Sequence, residues 1–368
     1  MRNKIKIISV VLFISAFVLL TSCQQQKAEW KGTIEEVNGV IVVKNPKEPM
    51  YGEDVFGLEE ELTIGEAEGP GEYMFSQLRT LAVDEEERFY IADSKESHIK
   101  VFDKNGEYLR TVGRKGPGPG EISSPYGIQI TQQKELVVND QKSRRLSFFD
   151  LNGKFIKSLN MGRMWAPSLK IDSNGNILIT EVILDPASPS FELKKLDPNL
   201  NPMETIVRIS GLDTRANNPY MPVINWRINK NDNIVYGYPE NYELIIYSPE
   251  GDILRKITKD YDPVKIPDEE RERIKKALPG TKFALPKFYS AFYRITLDDE
   301  GRIFVQTWEK IINEEGYYHD VFDLKGRYVA KVPLRIMPLV WKNNKLYTIE
   351  EDEEGFQMVK RYKVTWRY

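Results

Sequence analysis

The chain carries few of the side chains that covalent chemistry needs. Its 368 residues hold one cysteine, Cys23, and two histidines, His98 and His319. A nucleophilic thiol needs a neighbouring base, and a catalytic zinc site of the three-histidine kind needs one histidine more than this chain has. No H-E-x-x-H, G-x-S-x-G, P-loop or C-x-x-C pattern is present. The stretch Gly113 to Glu121, GRKGPGPGE, is a poor phosphate loop because its prolines remove backbone N–H donors. What remains is recognition chemistry. Six residues stand where the innermost strand of each repeat begins: Arg79, Tyr126, Trp165, Asn225, Tyr293 and Arg335. This mixture of cations, aromatics and an amide suits stacking on, and hydrogen bonding to, a polar ligand better than it suits caging a divalent ion. The plainer reading is that such aromatics only plug a channel. No metal and no cofactor is expected, although an oxygen-ligand calcium site, which needs no histidine, stays open as the basis of an alternative hydrolase or lyase.

The elements that must position these residues form a repeat. One phrase recurs five times: VFDKNGEYLRTV from Val101, FFDLNGKFIKSL from Phe148, KLDPNLNPMETIV from Lys195, IYSPEGDILRKI from Ile246 and VFDLKGRYVAKV from Val321. Each is a β-type run, a polar turn and a second β-type run, and four of the turns end in glycine: Gly106, Gly153, Gly251 and Gly326. Asn105-Gly106 and Asn152-Gly153 predict type I′ hairpins. A second unit alternates with the first, beginning at Leu81, Ile128, Leu169, Trp226, Ile295 and Leu339, and it too reads as a strand pair. Together they give four strands per repeat. Three of the five repeat steps match the ~40 to 50 residues of a propeller blade, and two are lengthened by insertions.

A lone hairpin cannot bury its apolar face, so the expected fold is all-β: a six-bladed β-propeller over residues 34–368. The sixth repeat has only three strands before the C-terminus, the last being Met358 to Val364. Its outer strand is expected from Glu61 to Ile64, so that the two chain ends close the ring. Val40 to Val43 either adds to that blade or lies along its edge. The longest insertion contains PDEERERIKKALPG, with Pro267 at its start, acidic residues in the first turn and Lys275 and Lys276 in the last. That order complements a helix dipole and predicts a short helix over 267–279, with Ile274 and Leu278 able to dock on a blade. Such an insertion reads as a lid or partner surface, or as a simple crossover. The other insertion, Asp185 to Ser190 with Gly211 to Pro222, reads as irregular.

The linkers GEAEGPGEYMF (Gly65 to Phe75) and GRKGPGPGEIS (Gly113 to Ser123) resemble the blade linkers of NHL-repeat propellers. So does the spacing of Asp93 before His98 to Phe102, and of Asp140 before Arg145 to Phe149. The chain is similar to the six-bladed β-propeller lipoproteins of bacterial envelopes, over about Val40 to the C-terminus. In the third and fourth repeats Glu181 and Tyr238 replace the aspartate, which favours a turn-capping role for Asp93 and Asp140 over a shared binding site. Two histidines cannot supply the metal site of an amidating-lyase propeller. A lactonase-like oxygen site is what the resemblance leaves for metal chemistry.

The N-terminus carries an address. Arg2, Lys4 and Lys6 precede an uncharged, mostly apolar run from Ile7 to Leu20, closed by Leu20-Thr21-Ser22-Cys23. That run is short for a membrane span, for which about 20 apolar residues are needed. It reads as a lipoprotein signal peptide, residues 1–22, followed by a tether, 23–33, whose Cys23 is acylated with palmitate-type chains. The expected location is the bacterial cell envelope, extracytoplasmic, on the outer membrane where there is one. Expected partners are membrane lipid through Cys23 and a glycan, peptide or envelope protein. With 52 basic against 55 acidic residues and a pI of 5.8, no basic stripe for nucleic acid exists. The function expected is an anchored binding or scaffolding module, against a metal-dependent enzyme or a purely structural component.

Overall fold

Polar turns set the strand pairs. The computed structural model describes residues 29–367, apart from 163, 165, 167, 186–187, 212–217, 278–279 and 282. In it, Asp103 Oδ1 accepts hydrogen bonds from the backbone N–H of Asn105 at 2.8 Å and of Glu107 at 2.9 Å. Asp150, Asp197 and Asp323 do the same for the residues two and four positions on. The expected type I′ turns are thereby corrected. Only Gly106 and Gly153 take positive φ, +87° and +92°, whereas Asn105 and Asn152 do not, because the aspartate carboxylate already holds the asparagine N–H. The left-handed glycine instead opens a β-bulge, seen as the register shifts at Val101/Phe102 and Phe148/Phe149. Leu200 fills the glycine position of the third copy at φ +71°.

Six sheets result, each built on four antiparallel strands, which in blades one to five run in chain order from the inside outward. Blade one is Leu78–Val83, Phe89–Asp93, His98–Phe102 and Tyr108–Val112; blade two is Pro125–Ile130, Glu135–Asp140, Arg145–Asp150 and Phe155–Asn160. Blade three is Leu169–Ile171, Ile177–Ile183, Ser190–Leu196 and Pro202–Ser210; blade four begins Asn225–Ile228, Ile234–Gly237, Glu243–Tyr247 and Ile253–Lys259. Blade five is Arg294–Leu297, Ile303–Lys310, Tyr317–Phe322 and Tyr328–Leu334. Blade six joins Val340–Lys342, Lys345–Glu351 and Gln357–Trp366 to Phe56–Ile64 from the other end of the chain. The ring closure expected from Glu61 to Ile64 is present, with Lys360 paired to Thr63 and Val359 to Ile64.

The core is divided among the interfaces between blades. Six apolar clusters lie among the described residues, one per interface; the last, which includes Ile64, Tyr347 and Val359 with Leu81, Phe89 and Phe102, seals blade six to blade one. Burying large aromatics there removes apolar area from water at roughly 25 cal/mol per Å², which holds neighbouring blades together without a central core.

The N-terminal hairpin, Thr33–Val37 with Val40–Asn45, differs from expectation. It extends blade four, not blade six: Val40–Asn45 runs parallel to Ile253–Lys259, pairing Ile41 with Arg255 and Asn45 with Lys259. Val43 is fully buried between blades four and five, and Trp30, expected within the tether, packs on the same cluster. The chain then crosses the outside of blade five, where Met50 and Tyr51 N–H groups donate to the carbonyls of Tyr328 and Val329, before it enters blade six.

A buried ionic latch sits where these parts meet. Lys259 Nζ lies 3.2 Å from Asp320 Oδ2, with side chains only 4% and 1% exposed. Tyr242 and Tyr328 each donate a hydroxyl to the Asp320 carboxylate at 2.6 Å, and Lys259 lies over both rings. Burial, and then the Asp320 charge, push both phenols well above their usual range, so they remain donors.

Helix α1, Asp268–Ala277, stands in the blade four to blade five connection, with Asp268, Glu269 and Glu270 in its first turn and Lys275 and Lys276 in its last. Arg271 ties it to the returning loop through the carbonyls of Leu285 and Pro286. Ile274 is half-buried, whereas Leu278 and Pro279 lie outside the described residues. No helix among the described residues is long and apolar enough to cross a membrane; the apolar run at the N-terminus and Cys23 lie outside them.

Candidate functional site

The inner strands converge on an axial cavity of about 580 Å³ at the end where those strands begin. Residues from all six blades or the segments leading into them line it, so its chemistry is set by whichever side chains the first turns of each inner strand present. Arg79 comes from blade one, Tyr126 from blade two, Lys170 from blade three, Arg227 from blade four and Arg294 from blade five, with Met337 and Leu339 preceding blade six. The Arg79 guanidinium lies 4.5 Å over the Tyr126 ring. Gln129 spans two blades, since its amide accepts from Ile171 N–H at 3.0 Å and donates to the Ile171 carbonyl at 2.8 Å. Asn139 donates to the Ala166 carbonyl, and Trp226 to Thr180 Oγ1 at 2.7 Å, which fixes the wall behind Arg227.

The electrostatics are one-sided. Among the described residues four cations line the cavity, and no carboxylate does. Among the described residues none of Arg79, Lys170, Arg227 and Arg294 forms an ion pair, in a chain that otherwise pairs many of its surface charges. Lys170 is exposed and lines the cavity from the inner strand of blade three. Desolvation, followed by repulsion from Arg227, lowers its ammonium to about 8, and desolvation with the charge of Arg294 lowers the Arg227 guanidinium to about 10. Like charges have been gathered where each makes the next harder to hold.

The residues expected from sequence divide three ways. Arg79 and Tyr126 line the cavity. Asn225 and Tyr293 stand at its rim, where Asn225 Nδ2 donates to the Tyr293 carbonyl at 3.3 Å and Tyr293 is 44% exposed. Arg335 does not reach the axis. It lines a separate groove between blades five and six and pairs with Glu314 at 2.7 Å, because it follows the outer strand of blade five and is not part of the inner strand of blade six. Trp165 lies outside the described residues. Sequence reasoning missed Lys170, Arg227 and Arg294. The first two, with Gln129, are the second residues of three recurring units, so reading that column down the repeat would have found them.

The two aspartates have structural partners. Asp93 accepts from the N–H groups of Ser76, Gln77, Lys95 and Glu96, and Asp140 from those of Ser123, Ser124 and Ser143, so both cap turns. His319 is 3% exposed, and burial lowers its imidazole to about 4; His98 is likewise lowered, chiefly by burial. Among the described residues no group of three His, Cys, Asp or Glu side chains could hold a metal ion.

Comparison with known proteins agrees with this architecture. A family model described as 6-bladed beta-propeller matches residues 68–210, which are blades one to three and the linker before them. A solved structure of a candidate exported protein from Bacteroides fragilis matches at a TM-score of 0.60 and 11% identity, covering 89% of this chain and 100% of that one. A member of the DUF4221 family from Bacteroides vulgatus matches at 0.55 and 14%, covering 86% and 100%. The fold is a six-bladed β-propeller. At these identities the likeness concerns the fold alone. A comparison with curated proteins gave no significant match.

Proposed function

We propose that this propeller is an extracytoplasmic binding module of the NHL-like lipoprotein kind, and that its axial cavity takes an anionic ligand. Residues 1–22 act as the signal peptide, Cys23 carries the lipid, and the segment from Cys23 up to Trp30, where the chain first packs on the ring, tethers the ring to the bacterial envelope. One observation carries the ligand reading: four cations without an ion pair line one cavity that, among the described residues, holds no carboxylate. A set of like charges in a walled cavity is costly unless an opposite charge visits it, and charge-assisted hydrogen bonds to guanidinium groups are among the strongest available there. The same lining opposes the metal-dependent alternative, since a divalent cation would meet cations and find few oxygen ligands.

Isothermal titration with citrate tests the ligand reading. Wild type binds it, and Arg227→Gln together with Lys170→Gln weakens binding by at least about tenfold, the equivalent of about 1.4 kcal/mol. Equal affinity in the double variant rejects the cavity as the anion site. Metabolic labelling with palmitate tests the anchor: Cys23→Ser loses the label and leaves the membrane fraction, and a variant that stays membrane-bound and labelled overturns the anchoring.

A further inference from the structure

An aromatic cluster adjoins the cationic cavity. The Trp308 ring stacks on Tyr289 with centroids 4.3 Å apart and planes 7° from parallel. Tyr220 meets Tyr289 edge-on at 4.9 Å, and Tyr293 meets Trp308 at 4.9 Å and 62°. The cluster is pinned at its edges: Trp308 Nε1 donates to Ser290 Oγ at 3.2 Å, and the Tyr220 hydroxyl donates to Glu270 of helix α1, whose carboxyl the Arg273 guanidinium holds down at about 2. Its outermost member is Tyr293, 44% exposed at the rim, and the next residue in the chain is the cavity cation Arg294, 5.4 Å from the Tyr293 ring centre.

We propose that the anion is carried by a sugar, and that the ligand is an acidic oligosaccharide, a pyranose chain bearing carboxylate, sulfate or phosphate groups. This rests on the anionic-ligand reading above. A fixed, half-exposed ring beside a cation matches a ligand that offers a flat C–H face and a negative charge within one residue, which is what an acidic pyranose has. Rigid aromatics make such contact at low cost in side-chain entropy. The hydroxyls of such a sugar meet polar groups already at the mouth and in the wall, including Asn225, Ser168 and Thr80. A cavity of about 580 Å³ takes one or two sugar units, with the rest of the chain running out over Tyr293. The helical insertion thus supports the binding platform from behind.

Titration of the purified protein with oligogalacturonate, a sulfated heparin-derived oligosaccharide, neutral maltopentaose, an aspartate-rich peptide and citrate tests this, with Tyr293→Ala and Arg227→Gln as variants. At least one acidic saccharide should bind tenfold or more tighter than citrate, and maltopentaose should not bind. Tyr293→Ala should weaken that saccharide about tenfold and leave citrate unchanged, whereas Arg227→Gln should weaken both. If citrate binds but no acidic saccharide gains over it, or if Tyr293→Ala leaves the saccharide unaffected, the sugar inference fails while the anion site stands. A peptide that binds as tightly as the best saccharide and is equally sensitive to Tyr293→Ala also overturns it. If neither citrate nor any acidic saccharide binds, the anionic-ligand reading itself fails.

Discussion

Replacing Asp320 by asparagine should cost about 4 kcal/mol of stability. The carboxylate, 1% exposed, balances Lys259 and accepts two tyrosine hydroxyls at 2.6 Å. Asparagine keeps one acceptor oxygen, so it can serve one hydroxyl; the other is left facing an amide N–H₂, at a cost of ~1–3 kcal/mol. Lys259 is left buried and charged between two rings, and breaking a buried pair from one side typically costs ~3–5 kcal/mol. The two penalties overlap, which is why the sum is not expected. Urea unfolding of the chain from Gln24 onward, followed by tryptophan fluorescence, should show a midpoint lowered by more than about 1 M for a slope near ~3 kcal/mol per M. Lys259→Met in the same molecule removes the stranded charge, so the double variant should recover about half of the loss. A midpoint shift below ~0.3 M for Asp320→Asn, or a double variant as unstable as the two single losses added together, would refute the latch.

Three further outcomes can be checked. Anion affinity in the cavity should hold to pH 7 and fall as pH rises through about 8, where Lys170 loses its proton, and Arg227→Gln should move that fall to higher pH; calorimetry between pH 6 and 9.5 reads both. His319, lowered by burial to about 4, takes up its proton in the unfolded chain first, so stability should decline as pH drops from ~6.5 towards 4, and His319→Gln should flatten that part of the urea-midpoint profile. Gly326→Ala should destabilise by ~1–3 kcal/mol, because φ is +83° and a Cβ would lie 2.8 Å from the Ile257 side chain. Gly355→Ala, at φ +85° with nothing within 4 Å, should cost clearly less; equal losses would show that the backbone alone decides.

The ring was legible because it is written in repeated turns. Asp-x-Asn-Gly and its variants recur with fixed strand lengths, and the missing outer strand of blade six was found from a local likeness, ELTIG to LRTVG. Val40–Asn45 was not placed, because a parallel pairing has no connecting turn to announce it and its partner lies in blade four. The Asn-Gly dipeptides pointed to the right hairpins but the wrong turn, since the carboxylate two residues earlier competes for the backbone. At the site, Arg79 and Tyr126 were found because their inner strands have regular linkers before them. Arg335 was misjudged because Ile336 to Leu339 intervene before a three-residue strand, and Lys170, Arg227 and Arg294 were passed over because each sits inside or at the start of a strand whose other residues read only as core.

The path of the first segment has a consequence for how the molecule is made. Asn45 bonds the Thr258 carbonyl 213 residues away and the Tyr328 N–H 283 away, and Glu60 pairs with Lys360 across 300. A ribosome delivers this end of the chain first, so these residues wait, unpartnered, through most of translation. Closing such spans adds little entropy, about 0.6 kcal/mol for each doubling of length, but it slows the final step. The molecule is therefore a clasp whose hook is synthesised first and whose eye comes last, and it stays threadable until its final strand arrives.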